Sequence, residues 1–220
     1  MIPRILETEV MSSSAEAYDY NTMDHTAVNR MFTADFFAFC PNPFGTILDV
    51  GTGTALIPIE MCRHHATCRI HAIDLSVEML KLAEHNIHTA GISNRISVQL
   101  VNGRQMPFDA GQYAAVISNS IIHHIPHPFE CLSEMVRVCE VGGCLFIRDL
   151  LRPHSLEQLE HLVALHAGEA NPLQRQLFHD SLHAALTLAE VQTLVVELGF
   201  DPQTVRQTSD RHWTWAVVVR

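Results

Sequence analysis

The chain has 220 residues, 47% hydrophobic and 17% charged, which is ordinary globular material of one-domain length and excludes disordered and collagen-like classes. Twenty-four acidic against fourteen basic residues give a formal charge of −10, lysine occurs once at Lys81, and the arginines are scattered, so a nucleic-acid backbone is repelled and a small-molecule partner is favoured. Six cysteines without a CxxC pair, no run near the ~18 apolar residues of a membrane span, and an N-terminus (Arg4, Glu7, Glu9) without the marks of an export signal predict a cytoplasmic chain with reduced thiols and no membrane partner.

Residues 12–40 read as helical. From Thr46 onward short β-branched runs alternate with longer periodic ones: strands are expected at 47–50, 68–73, 96–101, 113–118 and 144–150, and helices at 55–65, 76–90 and 128–139. Strands separated by helices of ten or more residues require right-handed crossovers and a mostly parallel sheet covered on both faces. Two amphipathic helices, 156–167 and 172–184, follow. Then Thr187 to Glu190 forms a capping box that opens a helix over 188–198, closed by Gly199. Strands at 204–207 and 213–219, joined by a polar turn, predict an antiparallel hairpin at the sheet edge. The expected fold is therefore α/β: a doubly wound, mostly parallel seven-stranded sheet with an antiparallel C-terminal hairpin and helical lid segments. The expected domain is single, 1–220. It has an N-terminal helical lid at 12–40, a cofactor-binding core at 45–150, a helical lid insertion at 151–185, and the terminal helix and hairpin at 186–220.

The run Ile47-Leu-Asp-Val-Gly-Thr-Gly-Thr-Ala-Leu56 is a strand entering a glycine turn and then a helix. Gly51 and Gly53 let the backbone bend and approach a ligand, with Thr52 between them, while the amides at the helix start supply donors for an anion. The third glycine of the dinucleotide fingerprint is missing. Asp49 would repel a pyrophosphate and attract a cation, so the implied ligand carries an ammonium for Asp49 and a carboxylate for the amides. Asp74 ends the second strand where a carboxylate accepts from ribose hydroxyls. Asn102 to Phe108 forms a polar turn able to bracket a base edge, with Leu75 and Met79 against the base faces. An aminocarboxylate, a ribose and a base without phosphate describe S-adenosylmethionine.

The segments Leu48-Asp-Val-Gly-Thr-Gly-Thr, Ala72-Ile-Asp-Leu-Ser, Asn102-Gly-Arg-Gln-Met-Pro-Phe, Ala114 to His124, and Val141-Gly-Gly-Cys-Leu-Phe-Ile resemble, in order and spacing, the successive motifs of class I S-adenosylmethionine-dependent methyltransferases. The resemblance covers about residues 45 to 150 and extends to the terminal hairpin. It implies a small-molecule methyltransferase in which Asp49, Gly51, Thr52, Gly53 and Asn119 hold the methionine part and Asp74 the ribose. Asn102, Gly103 and Arg104 then lie at the adenine edge. The adenine position is usually Asp in that family. Asn102 keeps an acceptor oxygen there but not the charge.

Methyl transfer is an in-line displacement at a sulfonium, so positioning supplies much of the rate and a base is needed only for a protonated nucleophile. The Asn119-Ser-Ile-Ile-His123 segment resembles the strand-four region of phosphobase methyltransferases, where the corresponding His pairs with an N-terminal Tyr. That likeness makes His123 and Tyr20 catalytic candidates, and Asp149 joins them from its place around strand five. Tyr18, His124, Arg148, Arg152, Arg211 and His212 are the candidates for contact with substrate. Asn119 stands where that family has Asp, which argues against a cationic amine acceptor, and the arginines favour an acidic or phenolic one. His179 and His183 share a helix face, but no third ligand is placed with them, so no metal is expected. The alternatives are a non-methyl-transfer enzyme that binds S-adenosylmethionine and a non-catalytic methyltransferase-like subunit. The nature of the acceptor atom and the oligomeric state are left open by the residues.

Overall fold

Hydrophobic alternation turns into seven strands joined in the order β3-β2-β1-β4-β5-β7-β6. In the computed structural model, which describes residues 2–7, 17–18, 21–22 and 25–220, the strands are β1 (Thr46–Val50), β2 (Arg69–Asp74), β3 (Ile96–Leu100), β4 (Tyr113–Asn119), β5 (Cys139–Leu150), β6 (Val205–Gln207) and β7 (His212–Val218). The helices are α1 (Thr26–Phe39), α2 (Leu56–His64), α3 (Val77–Thr89), α4 (Pro128–Val138), α5 (Leu156–Ala167), α6 (Pro172–Ala184) and α7 (Leu188–Glu197). The expected fold class is borne out. The chain forms two compact units: a larger one of Glu9–Asn119, Glu130–Ile147 and Ala216–Arg220, and a smaller one of Met1–Thr8, Ser120–Phe129 and Arg148–Trp215.

In the larger unit β1 lies between β2 and β4, parallel to both, with Asp49 beside Ala72 on one side and Ile117 on the other. This is the point where strand order reverses, so the loop after β1 opens at the sheet's topological switch. Every residue from Ile47 to Val50 is buried. Phe32 and Phe36 of α1 meet Phe146 of β5 edge-on, with ring centroids at 5.2 and 5.9 Å. Each such ring stabilises the fold by about 2 to 3 kcal/mol through burial. One expectation is corrected: β5 begins at Cys139, five residues ahead of the expected start. Gly142 and Gly143 precede the expected start, but the strand runs through them. Gly142 takes φ +85, and a Cβ on Gly143 would stand 2.8 Å from the carbonyl oxygens of Ala114 and Glu140. Glycine here permits close strand approach instead of reversing the chain.

In the smaller unit α5 and α6 have the expected limits. Ser155 caps α5, and capping boxes at Asn171/Gln174 and Thr187/Glu190 open α6 and α7. Each cap satisfies orphan amides and contributes about 1 kcal/mol. Leu150, Leu159, Leu162, Val163, Leu182 and Ala185 form its apolar core, against which Ile2 and Phe178 pack. β6 and β7 are antiparallel, with Val205 opposite Trp215 and Gln207 opposite Trp213. Of the expected helical segment 12–40, α1 accounts for the second half. Residues 12–16, 19–20 and 23–24 lie outside the described residues.

Candidate functional site

The larger unit holds the glycine turn. Gly51 and Gly53 adopt φ +75 and +57, the left-handed region that glycine enters without strain. The amides of Gly51 and Thr52 both donate to Ile73 O, at 2.8 and 2.9 Å, which clamps the turn to the end of β2. Asp74 completes the clamp: Oδ2 accepts from Gly53 N and Oδ1 from Ser76 N, each at 2.8 Å. Its carboxylate therefore shapes the loop. From α3, Asn86 Nδ2 donates to Thr54 O at 3.0 Å and holds the far side of the turn. A Cβ on Gly53 would meet nothing within 4 Å, so the turn borders open space.

Asp49 sits under this turn with 3% of its surface exposed. Burial, joined by the like charge of Asp74 and opposed by the Thr52 hydroxyl, pushes its carboxyl up to about 7. An arriving ammonium restores the charge that burial disfavours. At the end of β4 the amide oxygen of Asn119 is buried and accepts no hydrogen bond from the described residues, which suits it to an incoming donor. Beyond β3 lies an open cleft of about 360 Å³ lined by Leu100, Val101, Asn102, Gln105, Met106 and Pro107. Asn102 Oδ1 accepts from Arg104 N at 3.0 Å, an Asx turn that fixes the amide and leaves its second lone pair for a base edge. Gly103 packs closely, since a Cβ would approach Val50 Cγ1 at 3.1 Å and Cys131 Sγ at 3.2 Å. Met79 is buried and Leu75 is half exposed. Two residues that the motif reading missed hold this cleft: Glu134 accepts from Met106 N at 2.6 Å, and Arg137 donates to the carbonyls of Met106 and Phe108 at 3.1 and 2.8 Å. Their i,i+3 spacing on α4 was the available signal.

The smaller unit holds two of the three catalytic candidates, His123 and Asp149. After β4 the chain forms a single 3₁₀ turn, Ile122–His124. The Ile122 amide, at 2.5 Å, and the His123 Nδ1, at 2.6 Å, both contact the carboxylate of Asp149 near the end of β5. Because a carboxylate only accepts, Nδ1 carries the proton and Nε2 is the ring nitrogen open to chemistry. Both side chains are fully buried. Burial opposes a charge on each, but the pair overcomes it: Asp149 holds the imidazole above its ordinary range, and His123 holds the carboxyl below its own.

The N-terminal segment closes over this pair in a way the sequence reading did not anticipate. Arg4 donates to Ala184 O at 2.7 Å, to His123 O at 3.1 Å and to Ile125 O at 3.0 Å. Glu7 accepts from Ser181 Oγ at 2.6 Å and stands 2.7 Å from His124 Nδ1. No motif marks Arg4 or Glu7; only the fold brings residues more than a hundred positions apart into contact.

The substrate candidates separate. Arg148 is buried with Nε bonded to Thr214 Oγ1 at 3.0 Å. Arg152 is buried, paired with Glu190 at 2.6 Å and bonded to Ala185 O at 3.3 Å. Arg211 stands beside His166 at 2.6 Å and Asp210 at 3.5 Å. His212 is buried beside Ser209 Oγ at 2.8 Å; burial, then the charges of Arg211 and Arg148, push it down to about 4. Tyr18 is exposed, and Tyr20 lies outside the described residues. His179 and His183 pack edge to face at 6.0 Å.

The strand order, the clamped glycine turn and the acid ending β2 define a class I, S-adenosylmethionine-dependent methyltransferase fold. Residues 48–147 match the family model of a methyltransferase domain. The chain is similar to demethylmenaquinone methyltransferases of Porphyromonas gingivalis, 33% identical over 50% of this chain and 45% of that one, and of Protochlamydia amoebophila, 29% identical over 70% and 69%. It thus spans about half the length of the first of these relatives. A SAM-dependent methyltransferase structure from Aquifex aeolicus superposes with a TM-score of 0.67 at 14% identity, covering 94% of this chain and 99% of that one. Residues 48–147 are therefore a methyltransferase domain of this class, and its cofactor is S-adenosylmethionine. Among the described residues no helix is long and apolar enough to cross a membrane.

Proposed function

We propose that this chain transfers a methyl group from S-adenosylmethionine to a small acceptor ring bearing an ionisable hydroxyl, of the reduced-quinone type. The names of the relatives support the acceptor class, and the buried His123–Asp149 pair carries the mechanism. When bound, the cofactor supplies an electrophilic methyl on a sulfonium. Asp49 and the amide oxygen of Asn119 hold its ammonium, Asp74 its ribose, and Asn102 the adenine edge. Deprotonating a phenolic hydroxyl raises electron density on its oxygen and on the adjacent ring carbons. Transfer to oxygen is then complete, whereas after transfer to carbon that carbon gives up its own proton and the oxygen takes one back from the imidazolium, which leaves one proton released in either case. His123 takes that proton on Nε2, and Asp149 stabilises the resulting imidazolium while fixing the ring. Asn119 carries no charge, which disfavours a cationic amine acceptor.

Labelled methyl donor incubated with a panel of reduced quinones and phenols tests the reading, with label expected on at least one. On that acceptor His123→Ala should lower kcat by about 10²- to 10⁴-fold while S-adenosylhomocysteine affinity is unchanged. Full turnover by the variant would reduce the mechanism to positioning alone, and labelling of amines only would overturn the acceptor class.

A further inference from the structure

We propose that Glu7, His123 and His124 form a binding site for a divalent transition-metal ion. One ligand atom of each lies within 4.8 Å of those of the other two, and His123 is buried. Two imidazoles and one carboxylate are the borderline donors that such ions take, and three protein ligands leave coordination positions open for water or an oxygen ligand. Around an ion with bonds of about 2.1 Å, ligand atoms stand about 3 to 3.4 Å apart, so the three donors need close by less than about 2 Å.

The surroundings are those of a supported site. Asp149 binds Nδ1 of His123, which fixes the ring and turns Nε2 outward as the ligand nitrogen, the carboxylate–histidine arrangement found behind bound metals. Ser181 fixes Oε1 of Glu7, leaving Oε2, which already faces His124 Nδ1 at 2.7 Å. A cation entering there would meet that carboxylate oxygen and that ring nitrogen together. Charge favours it: Glu7 and Asp149 are two anions against the one guanidinium of Arg4, and Arg152 is neutralised by Glu190. Sequence spacing hid the site, because Glu7 lies 116 residues before His123 and nothing local links them.

The ion takes the ring nitrogen that receives the acceptor's proton in the function proposed above, so metal loading and turnover oppose each other. The binding itself does not rest on that function. The test is titration of the chelator-stripped full chain with Co(II), read by its visible ligand-field absorption. One equivalent should bind and be displaced by Zn(II). Glu7→Gln and His124→Ala should each weaken binding by at least about tenfold, whereas His179→Ala, at the other histidine pair, should not. Fluorescence of Trp213 and Trp215, buried in the same unit, reports whether each variant is folded. If a variant is not, the imidazole nitrogen resonances of the unaltered chain decide, since Zn(II) should shift those of His123 and His124. No stoichiometric binding, binding indifferent to both substitutions, or shifts confined to His179 and His183 would overturn the site. Slower turnover on loading tests the competition separately: metal binding without inhibition leaves the site standing and removes His123 as the base.

Discussion

Asp49 is a carboxylate held where water does not reach it, and its worth lies in what it gains from a ligand. With its carboxyl pushed up to about 7 by burial, the ligand-free site is half neutral near pH 7, and in the function proposed above the cofactor's ammonium binds the ionised form. Affinity for S-adenosylhomocysteine should therefore fall about tenfold from pH 8 to pH 6. Asp49→Asn should bind more weakly but without that slope, and calorimetry across the range decides. A flat profile in the unaltered protein would mean that Asp49 does not meet the ammonium. Asp74 makes a different prediction because it has two tasks. Removing its carboxylate in Asp74→Ala frees the ribose hydroxyls and also releases the amides of Gly53 and Ser76. The loss should be about 2 to 4 kcal/mol of cofactor affinity, and unchanged binding would remove Asp74 as the ribose acceptor.

The same logic at the level of elements concerns α4, whose Glu134 and Arg137 tie down the segment lining the cleft beyond β3. Arg137 also pairs with Glu134 at 2.6 Å, so Arg137→Ala removes a carbonyl clamp and loosens the acid that caps Met106 N. We expect S-adenosylhomocysteine affinity to fall several-fold, by about 1 kcal/mol, with faster amide exchange in residues 102–108. Unchanged exchange would show that the loop is rigid without α4. Elements of this kind mark the boundary of what the sequence carries. The glycine turn, Asp74, α5, α6 and the Thr187 box were legible because each is written in neighbouring residues: a turn chemistry, a cap, a period. The first part of β5, through Gly142 and Gly143, was not legible, because the crowding that glycine answers there comes from Ala114 on another strand. Arg4 and Glu7 were not legible, and Arg148 and Arg152 read as substrate contacts, for one reason. Whether a charged side chain faces a ligand or Thr214, Ala185 or Glu190 depends on partners dozens of residues away or more.

For the molecule as a whole, the two tryptophans separate what the two units do. Trp213 and Trp215 are fully buried and both belong to the smaller unit, so their fluorescence reports that unit, while cofactor binding reports the larger one. His212 belongs to the smaller unit as well, pushed down to about 4 by burial and by Arg211 and Arg148. Its folded value lies below its unfolded one of about 6.5, so at pH 7 and above it is neutral in both states and imposes no penalty. As pH falls below about 6.5 the unfolded chain takes up a proton that the folded one refuses, and stability is lost progressively until the folded group titrates near 4. At pH 5 the loss from this group is on the order of 2 kcal/mol. Urea unfolding followed by tryptophan fluorescence at pH 7.5 and pH 5 should show it, and His212→Gln, which cannot take up the proton, should flatten the difference by about that amount. Equal pH dependence in the variant would assign the acid sensitivity to other groups of the unit, of which Asp210 and Glu190, both held below their ordinary range, are the next to test.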